Sequence, residues 1–177
     1  MYFPEIVETS RLRLRRPQAP DAEAIFEGYA QDPAVTRFVV WRPHQSIQTT
    51  REFIDQCLER WHTGSAFPFV ITRKNNGQAI GMLEIRPDSF KASIGYVLAR
   101  AYWGQGFMSE AVSEIVRMIL SDPSMYRVEA FCDVENAASA RTLEKAGMRR
   151  EGIMRRYIIH PALSNEPRDC YLYAVAR

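Results

Sequence analysis

AYWGQGFMSEAVSEIVRMIL, residues 101–120, sets Gly104 and Gly106 around Gln105 and runs directly into an amphipathic repeat. Phe107, Ala111, Ile115 and Ile119 form one i+4 row, and Met108, Val112, Val116 and Leu120 form the next. Ser109, Glu110, Ser113, Glu114 and Arg117 take the other side, so the stretch predicts a helix with a broad apolar face turned to a core. Glycine inside a regular element costs about 0.5–1 kcal/mol relative to alanine, so the pair needs a local reason. A helix N-terminus leaves backbone N–H groups unpaired and carries roughly half a positive charge. Glycines there let an anion reach those amides, and phosphate suits such a place. A tight strand-to-helix turn with no ligand accommodates the pair equally well. The motif is not a Walker loop, which needs G-x-x-x-x-G-K-[ST]. It is not a dinucleotide fingerprint either, because Ser109 stands where the third glycine or alanine belongs.

Strands surround this helix. "RLRLRR" (11–16) alternates arginine with Leu12 and Leu14, the pattern of a half-exposed strand, and Pro17 ends it. "DAEAIFEGYAQDP" reads as a short helix from about Asp21, stopped by Asp32-Pro33. Ile47, Thr50, Ile54, Cys57, Leu58 and Trp61 recur at helical steps, with Ser46 placed to cap the start and Gly64 just past the end. "FPFVITR" and "AIGMLEIR" flank Asn76-Gly77, a hairpin signal. "ASIGYVLA" leads into the glycine pair. "YRVEAFC" follows the long helix, then a helix from about Asn136 to Ala146 closed by Gly147, then strands at "GIMRRYII" and "DCYLYAVA". The expected fold is α+β, with about seven strands and about four helices.

With 46% hydrophobic residues in 177, one domain spanning 1–177 has material for a real core. A net charge of +2 without a dense basic face argues against nucleic acid as a partner. Cys57, Cys132 and Cys170 are odd in number and show no metal-ligand spacing; His44, His62 and His160 are scattered, so no metal is expected. No run approaches the ~20 apolar residues of a membrane span, and "MYFPEIVETS" does not resemble a signal peptide. The chain is expected in the cytoplasm, as a monomer or homodimer.

A second stretch narrows the function. "DVENAASARTLEKAGM" (133–148) follows "YRVEAFC", and with "TSRLRLR", "IGYVLARAYWGQGFMSEA" and "EGIMRRY…RDCYLYA" it appears in one recurring order over nearly the whole chain. In these segments the sequence resembles the GNAT superfamily of N-acetyltransferases. Its nearest likeness is to the ribosomal-protein N-terminal alanine acetyltransferases (RimJ/RimL-like). The resemblance implies a mixed, mostly antiparallel sheet whose central strands splay, and acetyl-CoA as co-substrate. It also assigns the pyrophosphate to Gly104, Gln105, Gly106, Phe107 and Met108, and the pantetheine arm to Val97, Leu98 and Asn136. Two positions depart from the superfamily pattern: Ala101 and Trp103 stand where arginine or glutamine is common, which removes side-chain help to the phosphates.

Acetyl transfer needs a neutral amine, a polarised carbonyl and a proton for the departing thiolate. The resemblance places a proton-donating tyrosine where this chain has Leu143, and alanine where it has Ser139. Ser139 is therefore the candidate acid, and a tyrosine restored at 143 in a Ser139→Ala chain is expected to recover turnover if the pocket houses the ring. Glu84 is the candidate base, with His44 and His160 as further candidates. Asp133 and Glu135 suit the following helix dipole whatever the chemistry. Trp41, Arg42, Tyr157 and His160, in irregular segments, are the candidate acceptor contacts. The acceptor is expected to be a primary amine, of a protein N-terminus or a small molecule. The alternative reading is a non-catalytic acyl-CoA sensor of the same fold.

Overall fold

Alternation sets the first strands. In β2 (Leu12–Arg15) Leu12 and Leu14 are fully buried while Arg13 faces solvent. β3 (Phe67–Arg73) is buried on both sides, as a strand between two helical layers must be. Val70 faces one layer, and Phe69 and Ile71 face the other. The computed structural model describes residues 3–177.

The remaining strands are β1 (Ile6–Glu8), β4 (Ala79–Asp88), β5 (Lys91–Leu98), β6 (Arg127–Asp133), β7 (Arg149–Ile158) and β8 (Arg168–Ala176). All eight form one sheet in the order β1-β2-β3-β4-β5-β6-β8-β7. Every neighbouring pair is antiparallel except β5 and β6, which run parallel. The mixed α+β architecture is as expected. The expected seven strands become eight because β1, three residues long, is too short to show a period.

On one face lie α1 (Asp21–Ile25), α2 (Pro33–Thr36) and α3 (Ile47–Thr63). Ser46 caps α3 by accepting the Thr49 N–H at 3.3 Å, and Gly64 ends it in the left-handed region at φ +70. Ile54 and Cys57 then pack with Val70 and Met82. The other face carries α4 (Phe107–Ser121) and α5 (Ala137–Lys145). Both predicted rows of α4 pack over Phe69, Leu83, Ile85 and Ile94, and each such buried side chain contributes about 1.5–3 kcal/mol.

The region before α3 differs from expectation. α1 widens into a π-helical turn over Phe26–Ala30, and Asp32-Pro33 opens α2 rather than merely ending α1. Asp32 accepts the Ala34 N–H at 2.9 Å, and Pro33 sits where its missing N–H costs nothing. This short α2 is the fifth helix. The Asn76-Gly77 hairpin forms as read, with the Gly77 N–H donating to the Arg73 carbonyl at 2.8 Å.

Candidate active-site cleft

β5 and β6 are bonded only over Lys91–Ser93 and Arg127–Glu129. Beyond that point β5 stays with β4 along its whole length and β6 stays with β8, so the sheet opens into a wedge. Backbone groups alternate in direction along a strand. The Tyr126 N–H donates to the Phe90 carbonyl at 2.8 Å, so even-numbered residues of β5 face β6; the Ala99 N–H donates to Ile80 at 2.8 Å, so odd-numbered ones face β4. Tyr96 and Leu98 thus turn their backbone groups into the wedge. Val97 does not: its carbonyl lies where a Cβ on Gly81 would collide with it. Tyr96, and not Val97, is therefore placed to offer backbone groups to the wedge, while Val97 still lines the cleft.

At the wide end of the wedge stands the glycine turn. Gly104 and Gly106 adopt φ +75 and +78, a region that costs any residue with a Cβ roughly 1–2 kcal/mol. Gly106 is the N-cap of α4 and offers no side-chain oxygen, so the first amides of that helix remain available. Gly106, Phe107 and Met108 line the same cleft of about 1220 Å³ that contains Leu98, Asn136 and Ser139. Arg11 closes the rear of the turn, donating from Nη1 to the Gln105 carbonyl at 3.0 Å. Its Nε donates to Glu110 at 2.6 Å. Burial alone would raise the Glu110 carboxyl, but hydrogen bonds from Thr9, Arg11 and Ser10 hold it down at about 2.

Asn136 caps α5, accepting the Ser139 N–H at 3.1 Å. The Ser139 hydroxyl is 2.7 Å from the Tyr96 hydroxyl, and both residues line the cleft. Burial raises the Tyr96 phenol above its ordinary range, partly opposed by the bond to Ser139, so it keeps its proton at neutral pH. Beside them burial pushes the Cys132 thiol up to about 11, with Ser139 opposing, so it is not a thiolate. Tyr96 was missed in the sequence, although alternation along β5 puts it on the same side as Ile94, facing α5. Leu143, by contrast, is fully buried in the core. A tyrosine there would be overpacked at a cost of about 1–3 kcal/mol, which the expected rescue would have to overcome.

The other end of the cleft lies toward the first helical layer. Glu84 lines it, held by Arg60 at 2.7 Å and Arg86 at 3.0 Å. Trp41 stacks on His44, and His44 on Phe53, with ring centres 5.1 and 5.8 Å apart. Burial lowers the His44 pKa, so its ring is neutral at physiological pH, and Nδ1 pairs with the Thr50 hydroxyl at 2.8 Å. His160 is buried: Nδ1 lies 3.3 Å from the Val39 carbonyl, and Nε2 lies 3.6 Å from Asp133 without a hydrogen bond. Asp133 is itself clasped by Arg168 at 2.6 and 3.0 Å. His160 therefore braces the Val39 segment against β6. Tyr157 meets the lining residue Phe131 edge to face, 4.9 Å between ring centres, but like the exposed Arg42 it is outside the lining itself. No cluster of three metal-ligating side chains occurs among the described residues.

A sheet parted between two parallel strands, with an uncapped helix N-terminus at its mouth, agrees with what the comparisons return. Residues 11–149 match the acetyltransferase (GNAT) domain family. The chain is a GNAT acetyltransferase. It is similar to the uncharacterized N-acetyltransferase YoaA of Bacillus subtilis, 31% identical over 178 residues covering 99% of this chain and 98% of YoaA. A GNAT-family acetyltransferase of Bacillus anthracis matches with TM-score 0.84 and 26% identity, covering 97% of this chain and 98% of that one. RimL, the ribosomal L7/L12 α-N-protein acetyltransferase solved with coenzyme A, shares the GNAT fold at TM-score 0.84 and 23% identity, over 97% and 98% of the two chains. In the GNAT chain described here, the glycine turn, Leu98 and Asn136 share the cleft with Ser139 and Glu84.

Proposed function

We propose that this GNAT acetyltransferase transfers an acetyl group from acetyl-CoA directly to a primary amine, with both substrates bound together. The observation that carries the reading is the wedge itself. Uncapped amides of α4 stand at its mouth, inward-facing backbone of Tyr96 and Leu98 lies along its side, and the Tyr96–Ser139 hydroxyl pair sits within it.

Gly104, Gln105, Gly106, Phe107 and Met108 would cradle the diphosphate through backbone N–H groups. Leu98 and Tyr96 would pair with the pantetheine arm as a neighbouring strand does, with Asn136 beside it. A wedge-facing amide of β5 polarises the thioester carbonyl. Ser139, hydrogen-bonded to Tyr96, protonates the departing thiolate as Tyr96 passes its own proton to Ser139, and water entering the cleft as the thiol leaves returns a proton to Tyr96. Glu84 keeps two lone-pair positions beyond its contacts with Arg60 and Arg86, enough to accept the amine proton through a water. Trp41 and His160 border the acceptor, with Tyr157 behind Phe131. Both a protein N-terminus and a small amine meet these requirements, and the chain is proposed to work in the cytoplasm.

Free thiol released from acetyl-CoA, measured across a panel of N-terminal peptides and small amines, tests the reading. Steady release with at least one acceptor is the expected result. Tight acetyl-CoA binding with no turnover across the panel would instead favour an acyl-CoA sensor.

A further inference from the structure

Arg11 directly precedes β2, yet its guanidinium works 94 residues away in sequence, on the Gln105 carbonyl. Five contacts fix it there. Its backbone N–H and Nε both donate to Glu110, at 2.9 and 2.6 Å. Thr9 and Ser10 hold the same carboxylate at 2.5 and 3.0 Å, and the guanidinium lies 4.4 Å over the Phe107 ring. The Gln105 carbonyl and the Gly106 N–H belong to one planar trans peptide, so they point in opposite directions. Fixing the oxygen toward Arg11 turns the Gly106 N–H the other way. Gly106 lines the cleft and Arg11 does not, so that N–H is aimed where an anion would sit. A charged donor on the carbonyl also polarises the peptide; the guanidinium's charge is itself paired with the Glu110 carboxylate, so it acts on the turn as an oriented donor.

We propose that Arg11 is the positioning residue of the diphosphate site, holding from behind the loop the peptide that aims the Gly106 N–H, in a turn where Ala101 and Trp103 offer no cationic side chain. The proposal rests on the acetyl-CoA reading above. It explains why "TSRLRLR" and "WGQGFMSE" occur together: the first segment supplies Thr9, Ser10 and Arg11, and the second supplies their partner Glu110 and the turn they hold.

The test compares two acetyl donors, acetyl-CoA and acetyl-pantetheine, which lacks the diphosphate. Arg11→Met keeps an apolar stem against Phe107 and removes the charge. It should raise the KM for acetyl-CoA about 10-fold or more with kcat within twofold, and leave kcat/KM for acetyl-pantetheine within twofold. Arg11→Lys, which keeps the charge but not the forked geometry, should fall between. Equal loss with both donors would show a merely structural residue and overturn the proposal, as would an unchanged KM for acetyl-CoA. If Arg11→Met does not fold, Arg11→Lys decides by the same two-donor comparison. A wild-type protein that binds neither donor would sink the acetyl-CoA reading itself, and this proposal with it.

Discussion

Tyr96 and Ser139 share one hydrogen bond of 2.7 Å, and neither hydroxyl has an acidic neighbour to take its proton away. Ser139→Ala should lower kcat about 10–100-fold, toward the low end of general-acid effects because a thiolate leaves readily, with little change in the KM for acetyl-CoA. The α5 cap should survive, since it uses the Ser139 backbone N–H and not the hydroxyl. Tyr96→Phe should show a loss of similar size if the proton is relayed through the pair. Wild-type kcat in both variants, measured where chemistry limits the rate, would leave water as the donor. Ser139 was readable from the sequence because it stands at a motif position. Tyr96 was not, because nothing local announces that a strand residue will meet a helix residue 43 positions later.

At the scale of elements, α4 carries two separable demands at its first turn. Gly106→Val meets no serious clash, since the nearest atom to its Cβ is Arg11 Nη2 at 3.5 Å. The cost lies in φ +78 for a branched residue, and relieving it would rotate the peptide and misdirect its amides. Calorimetry should show acetyl-CoA affinity falling about 10-fold or more, equivalent to roughly 1.4 kcal/mol, with the fold retained. Glu110 sets the second demand. Its carboxyl lies at about 2 in the folded chain against an ordinary 4.5, so the folded state favours the charged form. That stabilisation is complete above pH 4.5 and is lost as pH falls through the window toward 2. Urea midpoints of wild type and Glu110→Gln should therefore differ at pH 6, and the gap should narrow progressively as pH falls from 4.5 toward 2. A constant gap would show that ionisation is not what Glu110 contributes. The α4 helix, the Asn76-Gly77 hairpin and the caps at Ser46 and Gly64 were legible because each is specified within a few residues. β1 and the one-turn α2 were not, since three or four residues carry no period. The Arg11–Glu110 tie, which joins β2 to α4, depends on how the whole sheet folds.

The molecule as a whole is a sheet parted between β5 and β6, held together at the narrow end by their hydrogen bonds and across one face by α4, which packs against both halves. On the proposed reading the co-substrate bridges the halves, so binding must appear as stability. At 100 times Kd the gain is about 2.7 kcal/mol, and at about 2–4 °C per kcal/mol for a chain of this size the Tm should rise about 5–10 °C. Acetyl-pantetheine at a matched multiple of its own Kd should give a similar rise, and no shift with either would contradict a bridging ligand. The overall fold class and its opened centre were expected from motif order. Which of β5's residues face the opening was not, because that parity is fixed only by the Phe90 and Ile80 hydrogen bonds at its two ends. The position of the opening has a further consequence. An unpaired strand edge at the outside of a sheet recruits other chains and seeds aggregates. Here the unpaired stretch lies in the interior, between strands that converge to bonding distance at Ser93 and Glu129. A foreign β-strand, with side chains on both faces, meets a narrowing slot it cannot follow, whereas an unbranched thread can. The unpaired backbone of the opening is thereby screened from edge-to-edge pairing, unlike β1 and β7, the two strands that end the sheet.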